Sequence, residues 1–142
     1  MLEVESLSVQ YGKHRAVDDA ALSVGANEIV VILGANGAGK SSLLKAVAGL
    51  QAPGAGARVV LGGRELVGLP AHQVVEAGLA LVPEGRGIFG ELTVRENLLL
   101  GAFARRARAD EGRNRERVLA LFPRLAERLD QTVRTMSGGE QQ

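Results

Sequence analysis

Residues 34–41 read GANGAGKS, and their types and spacing are those of a loop that binds phosphate. The segment fits the pattern G-x-x-x-x-G-K-[ST]. Glycines at 34, 37 and 39 allow successive backbone amides to curve around a polyphosphate without clashes from Cβ atoms. The chemistry predicted for this segment is therefore the binding of a polyphosphate.

Three side chains at the end of the loop would complete a site for a nucleotide and its metal ion. Lys40 would reach the β- and γ-phosphate oxygens as a point charge, and the Ser41 hydroxyl would be one ligand of Mg²⁺. Ser42 adds a second hydroxyl, and the N-terminus of the following helix adds a partial positive charge. The nucleotide-binding residues predicted in this segment are Gly34, Asn36, Gly37, Ala38, Gly39, Lys40, Ser41 and Ser42.

The elements on either side of the loop favour this interpretation over a chance match in a glycine-rich chain. Residues 28–33, EIVVIL, are a short β-branched apolar run, which predicts a strand buried on both faces of a parallel sheet. Residues 42–50 place apolar side chains at 43, 44, 47 and 50, which predicts a helix. A strand, then the loop, then a helix is the context that a phosphate-binding loop requires.

The rest of the chain predicts further strands and helices. Two alternating segments, 2–9 and 20–24, predict an antiparallel pair of strands joined by a turn near Gly12. From Thr93 the pattern becomes helical, and Thr93 with Glu96 has the spacing of a capping box. The remaining predictions are strands at 59–61 and 79–82 and helices at 71–77 and 114–121.

A second turn with glycines lies at the far end of the chain, where residues 136–142 read MSGGEQQ. Ser137 and Glu140 have the spacing of a capping box at the start of a helix. Taken alone, this pattern is more typical of an ordinary capped helix than of an anion site. The reason to consider this turn functional is therefore that the same chain also contains the loop at 34–41.

Composition limits the class of protein. The chain has 142 residues, 46% of them hydrophobic, a net charge of +1 and no cysteine, which predicts one globular domain without disulfide or thiolate chemistry. Aromatic residues make up 3%, so few side chains could stack on the bases of single-stranded nucleic acid. The N-terminus lacks the pattern of a leader, and no run of eighteen apolar residues occurs. We therefore expect a cytoplasmic chain whose link to a membrane goes through a partner.

Charge is uneven along the chain. Residues 101–134 hold nine arginines against five acidic residues. A solvated helical face explains this excess in the simplest way. A docking surface for an acidic partner is the alternative, because arginine forms bidentate pairs with carboxylates.

Three segments together resemble the ATPase subunits of ABC transporters. They are GANGAGKS at 34–41, LVPEGRGIFGELTVRENLLLGAF at 81–103 and TMSGGEQQ at 135–142, in the order and spacing of that family. Within the family, residues 83–97 and LFPRL at 121–125 most resemble the ATPases of branched-chain amino acid importers. The resemblance implies an α/β P-loop NTPase fold of the ABC ATPase type, with an N-terminal antiparallel β subdomain and an α-helical subdomain.

The resemblance also implies roles for residues outside the loop. Tyr11 matches the aromatic residue that stacks on adenine, and an exposed turn tyrosine is the alternative. Glu84 stands where many members have a Gln whose side-chain oxygen meets Mg²⁺ or the attacking water, and the importer ATPases also have Pro-Glu-Gly here. The resemblance therefore implies that Glu84 lies on the metal side of the site, and a charged turn residue is the alternative. The signature that closes over the γ-phosphate held by a second subunit is matched by Ser137, Gly138, Gly139 and Glu140.

By the same resemblance, residues 1–142 would be a single incomplete ABC ATPase domain. Residues 1–90 would form the β subdomain and nucleotide-binding core, 91–136 the helical subdomain, and 137–142 the signature with the start of its helix. In the family, the metal-supporting Asp, the catalytic Glu and the switch His follow the signature. We therefore expect residues 1–142 to be the N-terminal part of such a domain and to contain no catalytic residue.

The function implied is an ATP-binding subunit that couples ATP binding and hydrolysis to import of amino acids, of the branched-chain class, across the inner membrane. The expected cofactors are ATP and Mg²⁺. The expected partners are a second ATPase subunit in a head-to-tail dimer and membrane-spanning permease subunits, which the helical subdomain would contact from the cytoplasmic face. Neither nucleic acid binding nor direct membrane insertion is expected. Two alternatives stay open: a soluble ABC-type nucleotide-binding module without transport, and an inert truncated fragment.

Overall fold

A computed structural model describes residues 1–85 and 87–141, and its chain divides into two compact units. The first unit is Met1–Leu81 and the second is Val82–Gln142. Each unit has its own apolar cluster. Arg86 and Gln142, which belong to the segments that carry the family resemblance, lie outside the described residues. The subdomain limits implied by the resemblance stay a prediction.

The first unit is built on a four-stranded antiparallel sheet in the order β2-β1-β3-β4. Strands β1 (Leu2–Tyr11) and β2 (His14–Val24) form the hairpin predicted from their alternation. Strand β3 (Arg58–Leu61) pairs with the other edge of β1, and a Gly-Gly turn at positive φ leads into β4 (Arg64–Glu65). Glycine makes that turn possible because it lacks the Cβ that opposes positive φ.

Helix α1 (Lys40–Val47) packs on this sheet and closes the first core. Val4 and Leu7 of β1 are three residues apart yet both are buried, because the strand is bulged between them and Ser6 has a φ of 48°. Without the bulge, strict alternation would direct one of these two side chains away from the core. The core residues are Val4, Leu7, Val9, Leu43, Ala46, Val47, Val59, Leu66 and Val74.

Helix α2 (Ala71–Ala77) has the limits predicted from the sequence. It follows Pro70 and ends at Gly78, which has a φ of 112°. Its buried Val74 lies against the end of α1, where a Cβ on Gly49 would be 3.0 Å from the Val74 side chain. The glycine after α1 therefore lets the two helices approach closely.

Two predicted strands do not form within the described residues. Residues 28–33 and 79–82 have irregular backbone and pair with no strand there. Ile29 and Leu33 are 91% and 86% exposed, and Ile32 is the residue of its run that packs against the core. The prediction of buried strands is wrong because a strand needs neighbours for its amides and carbonyls, and β-branched composition alone does not supply them.

The second unit consists of short helices around a small apolar cluster. Val94, Val133 and Met136 are buried, and Leu98 and Leu125 pack against them. Among the described residues, no helix has the length and hydropathy needed to cross a membrane. The elements are α3 (Val94–Gly101), α4 (Arg105–Arg108), α5 (Glu111–Leu121), α6 (Pro123–Ala126), a 3₁₀ turn (Val133–Thr135) and α7 (Gly138–Gln141).

The capping box predicted at the start of α3 is confirmed. The Thr93 hydroxyl accepts a hydrogen bond from the Glu96 amide at 3.2 Å. The Glu96 carboxylate accepts from the Thr93 amide and from its hydroxyl, each at 2.8 Å. These bonds, that of the backbone amide first, hold the pKa of Glu96 below its ordinary 4.5.

The boundaries of two helices differ from the prediction. Helix α1 spans Lys40–Val47 and not residues 42–50. Helix α5 begins at Glu111 and not at residue 114, and an ion pair from Arg115 to Glu111 supports the added turn. Pro123 ends α5 as predicted and is also the first residue of α6, a position where its missing amide is tolerated. The four-residue helix α4 was not predicted, because Ala-Arg composition does not specify so short an element.

Candidate functional site

The loop at 34–39 leads into α1 without any side-chain cap at the N-terminus of the helix. Gly39 is the N-cap residue, and it and Gly37 both have a φ of 84°. A Cβ opposes that conformation, so both positions favour glycine. The first amides of a helix have no carbonyl one turn behind them, and an uncapped start presents them to an anion.

The glycines of the loop are needed for different physical reasons. A Cβ on Gly39 would lie 2.1 Å from the carbonyl oxygen of Ala16 in β2, so the loop is pressed against that strand. A Cβ on Gly34 would lie 3.3 Å from that of Ala38, within the loop itself. A Cβ on Gly37 would meet nothing within 4 Å, so only its backbone conformation calls for glycine.

The Lys40 side chain folds back over the start of the loop. Its Nζ donates hydrogen bonds to the carbonyl oxygens of Gly34 and Ala35, both at 2.7 Å. The Ala38 amide donates to the Ala35 carbonyl at 3.2 Å and closes the loop below it. The ammonium group is thus held on the loop, with the helix start beside it.

The two serines occupy the first turn of α1. Ser41 is exposed and Ser42 is half-buried, while the next residue, Leu43, is buried in the core. Leu43 therefore sets the rotation of the helix, and Ser41 is exposed as a consequence. The side chains of Asn36 and Ala38 are exposed on the loop.

These residues fit a polyphosphate. The close approach of Gly39 to β2 leaves no space for a side chain at the start of the helix, and Lys40 supplies a cation beside this start, which has no side-chain cap. With a nucleotide bound, the loop amides and Lys40 would hold the phosphates. Ser41 is the residue that would offer an oxygen to Mg²⁺. The individual contacts with nucleotide stay predictions.

Tyr11 lies at the end of β1, opposite His14 across the hairpin turn, and is 43% exposed. The side-chain amide of Gln10 donates to the Gly12 carbonyl at 2.7 Å and supports this turn. Ala16, which Gly39 abuts, belongs to the strand that leaves the turn. Strand β2 thus starts at the hairpin turn and lies against the phosphate loop at Ala16. Stacking of Tyr11 on adenine stays a prediction.

The two predicted ligands of Mg²⁺ belong to different units. Ser41 lies in the first unit, and Glu84 is exposed in a turn of the second. Among residues 1–85 and 87–141, no group of three or more acidic or histidine side chains could hold a metal ion by itself. Mg²⁺ at Ser41 would need further oxygens from the nucleotide, as Mg²⁺ sites with phosphates usually do. The role of Glu84 stays a prediction.

The turn at Ser137 is a closed capping box. The Glu140 carboxylate accepts from the Ser137 amide at 3.0 Å and from its hydroxyl at 2.8 Å. The other oxygen of the same carboxylate pairs with Arg128 at 3.3 Å. The bonds from Ser137, the backbone one first, and the nearby arginines hold the pKa of Glu140 below 4.5. Gly138 and Gly139 form the first turn of α7.

Two residues that support this turn were missed by the sequence analysis. One is Arg128, through its ion pair with Glu140. The other is Gln141, whose side-chain amide donates to the carbonyls of Val133 at 2.9 Å and Met136 at 3.1 Å. The Arg128 pair spans twelve residues, and the Gln141 bonds span eight and five, so none has the spacing of a capping box that would have indicated it.

Comparison with known proteins identifies the family. A family model described as ABC transporter matches residues 17–142. The chain belongs to the ABC transporter family. Over its full length it is 46% identical to the high-affinity branched-chain amino acid transport ATP-binding protein BraG of Pseudomonas aeruginosa, of which it covers 60%. It is also 34% identical to a probable branched-chain amino acid transport ATP-binding protein, LivF, of Archaeoglobus fulgidus, covering 59% of it.

Solved structures of ABC proteins confirm the fold. One described as the ATP-binding subunit of an ABC transporter aligns with 99% of this chain at a TM-score of 0.81 and 31% identity, over 57% of its own length. A nucleotide-free ATP-binding cassette aligns with a TM-score of 0.77 and 22% identity over 99% of this chain and 60% of its own length. The present chain therefore spans about 60% of these ABC proteins. The resemblance to the ABC ATPase fold is thereby established.

Proposed function

We propose that this ABC-family chain binds MgATP through residues 34–42 and serves as the ATP-binding part of an importer for branched-chain amino acids. One observation carries the nucleotide-binding part: Lys40 is held over a loop that enters an uncapped helix. A loop that holds a cation and enters a helix without a side-chain cap favours an anion over a neutral ligand.

The solute class rests on the two relatives named for branched-chain amino acid transport, at 46% and 34% identity. A relative named as an iron(III) import ATP-binding protein, from Streptomyces coelicolor, is 39% identical, and the chain covers 40% of it. Import is therefore the broader proposal, and branched-chain amino acids are the narrower one. The ATP-binding residues named here do not contact the solute in this proposal.

The chemistry in this proposal is divided between chains. ATP would supply the energy of transport, and residues 34–42 of this chain would bind and orient its phosphates. Ser137 to Gly139 would face the γ-phosphate of ATP held by a second subunit in a head-to-tail dimer, and Glu140 and Arg128 would hold that turn in shape. The hydrolytic Asp, Glu and His of the family are not among the residues proposed here.

Nucleotide binding is tested by thermal unfolding of the natural polypeptide that contains these residues, with and without MgATP. A ligand at about 100 times its Kd stabilises the protein by about 2.7 kcal/mol. Lys40→Ala should abolish this stabilisation. Lys45→Ala is the matched control because it removes the same charge from the exposed face of the same helix. Equal stabilisation of both variants would contradict the proposed site.

Coupling to transport is tested separately, by isolating the tagged polypeptide from its native membranes. Recovery of membrane-spanning subunits with it would support an importer. If the protein binds MgATP yet no membrane-spanning subunit accompanies it, then it is a soluble nucleotide-binding module and the transport part of the proposal is wrong. If it does neither, then the inert alternative is correct.

A further inference from the structure

The turn at Ser137 already holds a carboxylate where the proposed function brings a phosphate. The amide and the hydroxyl of Ser137 both donate to one oxygen of Glu140, at 3.0 and 2.8 Å. A hydroxyl has one proton, so it donates to the carboxylate or to the phosphate but not to both. A phosphate that takes this donor displaces Glu140 from it and then lies beside a second negative charge.

The same turn is accessible to a group from another molecule. Ser137, Gly138 and Gly139 are exposed. Gly139 has helical backbone without a positive φ, and a Cβ there would meet nothing within 4 Å among the described residues. Neither its conformation nor a contact within the described chain calls for glycine at 139. A glycine of this kind fits the close approach of a ligand held by another subunit.

Arg128 is the cation in contact with this carboxylate. Its Nη2 lies 3.3 Å from the oxygen of Glu140 that does not accept from Ser137. The two side chains are 34% and 23% exposed, so solvent screens their attraction less than it screens a pair on the open surface. Arg124, which also lies near Glu140, forms its ion pair with Glu127 at 3.3 Å.

Hydrogen bonds fix the direction of the Arg128 guanidinium. Its Nη1 donates to the side-chain oxygen of Gln131 at 3.4 Å, while Nη2 is directed at Glu140. The side-chain amide of Gln131 donates in turn to the Thr135 hydroxyl at 2.9 Å. Thr135 stands two residues before Ser137, so the guanidinium is attached to the segment that leads into the turn.

We propose that Arg128 is a positioning residue for the ATP phosphate at Ser137. It holds the Glu140 carboxylate when the phosphate takes the Ser137 hydroxyl, and it offsets the negative charge of Glu140 beside that phosphate. An interaction favours the phosphate-bound state only if it is stronger there. The Arg128 pair meets this condition, because a carboxylate that has lost the Ser137 hydroxyl depends more on its arginine. The inference rests on the proposed function, in which ATP of a second subunit meets this turn.

The test is the nucleotide-dependent association of the natural polypeptide with the second ATPase subunit of its assembly, a like or a different chain. Analytical ultracentrifugation with Mg²⁺ and ATPγS, which slows turnover, measures it. Arg128→Gln should weaken this association about fivefold. Arg113→Gln is the matched control, because it removes the same charge from an arginine that pairs with Asp110 at 2.8 Å in the same unit. Binding of a fluorescent nucleotide by the separate subunit should be equal in both variants, since residues 34–42 are untouched.

A double substitution separates charge compensation from simple support of the fold. Glu140→Gln removes the competing anion and should strengthen the association about fivefold. In that background Arg128→Gln should change the association less than about twofold, because the charge that it offsets is gone. Glu96→Gln breaks the equivalent capping box of α3 and should not strengthen the association. Melting temperatures show that each variant is folded.

Three results would overturn the inference. They are equal association of the Arg128 and Arg113 variants, the same loss from Arg128→Gln with and without the Glu140 carboxylate, and weaker association of the Glu140→Gln variant. In each of them the parent protein still associates with nucleotide, so the proposed function stands. If the parent protein shows no nucleotide-dependent association, then the proposed head-to-tail dimer is wrong and the inference is wrong with it.

Discussion

The two glycine-containing turns of this chain begin helices in opposite ways. Before α1 stands Gly39, which has no side chain to cap the helix, and Lys40 is bonded to the carbonyls of the loop. Before α7 stands Ser137, whose amide and hydroxyl are both engaged by the Glu140 carboxylate. The start of α1 therefore has a cation beside it and no side-chain cap, whereas the start of α7 is capped by its own anion.

This difference shows that glycine content alone does not make an anion-binding site. At α1 a phosphate would meet the Lys40 ammonium and the positive end of the helix dipole. At α7 it would meet the negative charge of Glu140, which Arg128 offsets in part. This difference agrees with the proposed assignment of the phosphates mainly to residues 34–42.

The largest effect is expected from Gly39→Ala. The new methyl group would lie 2.1 Å from the Ala16 carbonyl at a φ of 84°, so both overpacking and backbone strain oppose it. We expect a loss of roughly 2–5 kcal/mol in the free energy of unfolding, measured by urea denaturation. Gly37→Ala has the same φ and no contact within 4 Å, and it should lose about 1–2 kcal/mol. Equal losses would show that β2 does not confine the loop.

A smaller effect is expected at the closed turn. Ser137→Ala removes the hydroxyl from the capping box, and the cap of α7 should weaken by about 1 kcal/mol. Thr93→Ala removes the equivalent hydroxyl from α3 and should have a similar effect. Hydrogen exchange of the amides in each helix measures the loss locally. If exchange in α7 is unchanged, then Glu140 alone is sufficient to hold that turn.

A glycine outside any special conformation should behave in the opposite way. Gly112 lies in α5, and a Cβ there would meet nothing within 4 Å. Gly112→Ala should therefore stabilise the protein, by about 0.5 kcal/mol, through its better helix propensity. Thermal denaturation measures the shift. Destabilisation would indicate a contact at α5 that the described residues do not include.

The smallest effect concerns pH. The pKa of Glu140 is lowered in the folded protein, first by the Ser137 amide and then by the Ser137 hydroxyl. The folded state therefore binds fewer protons, and the capping box contributes stability above pH 4.5 that is lost as the pH falls through the lowered pKa. Carboxyl NMR titration should give a midpoint below 4.5, and Ser137→Ala should raise it. Glu140→Gln should remove this part of the acid dependence.

How much could be predicted from the sequence depended on the range of the interaction. Both capping boxes were predicted from residues three apart, and both formed, because their hydrogen bonds lie within one helical turn. Helix α2 was predicted at its observed limits for the same reason, since Pro70 and Gly78 act locally. The loop at 34–41 and its entry into α1 belong to this group as well.

Long-range features could not be predicted in this way. Residues 28–33 have the composition of a buried strand, but Ile29 and Leu33 are exposed because pairing depends on other segments. The Arg128–Glu140 pair joins residues twelve apart, and no periodicity indicates it. The approach of Gly39 to Ala16 similarly depends on how α1 lies on β2.

The sequence by itself determined the chemical identity of the site: a glycine loop, one lysine and two hydroxyls at the start of a helix. Their order along the chain is sufficient for this, because neighbouring residues define the loop. The tertiary structure decided which glycine cannot be replaced, and which helix start has a side-chain cap and which has none. Each of these depends on atoms brought together by packing, and distance in space, not spacing in the chain, controls steric contact and charge.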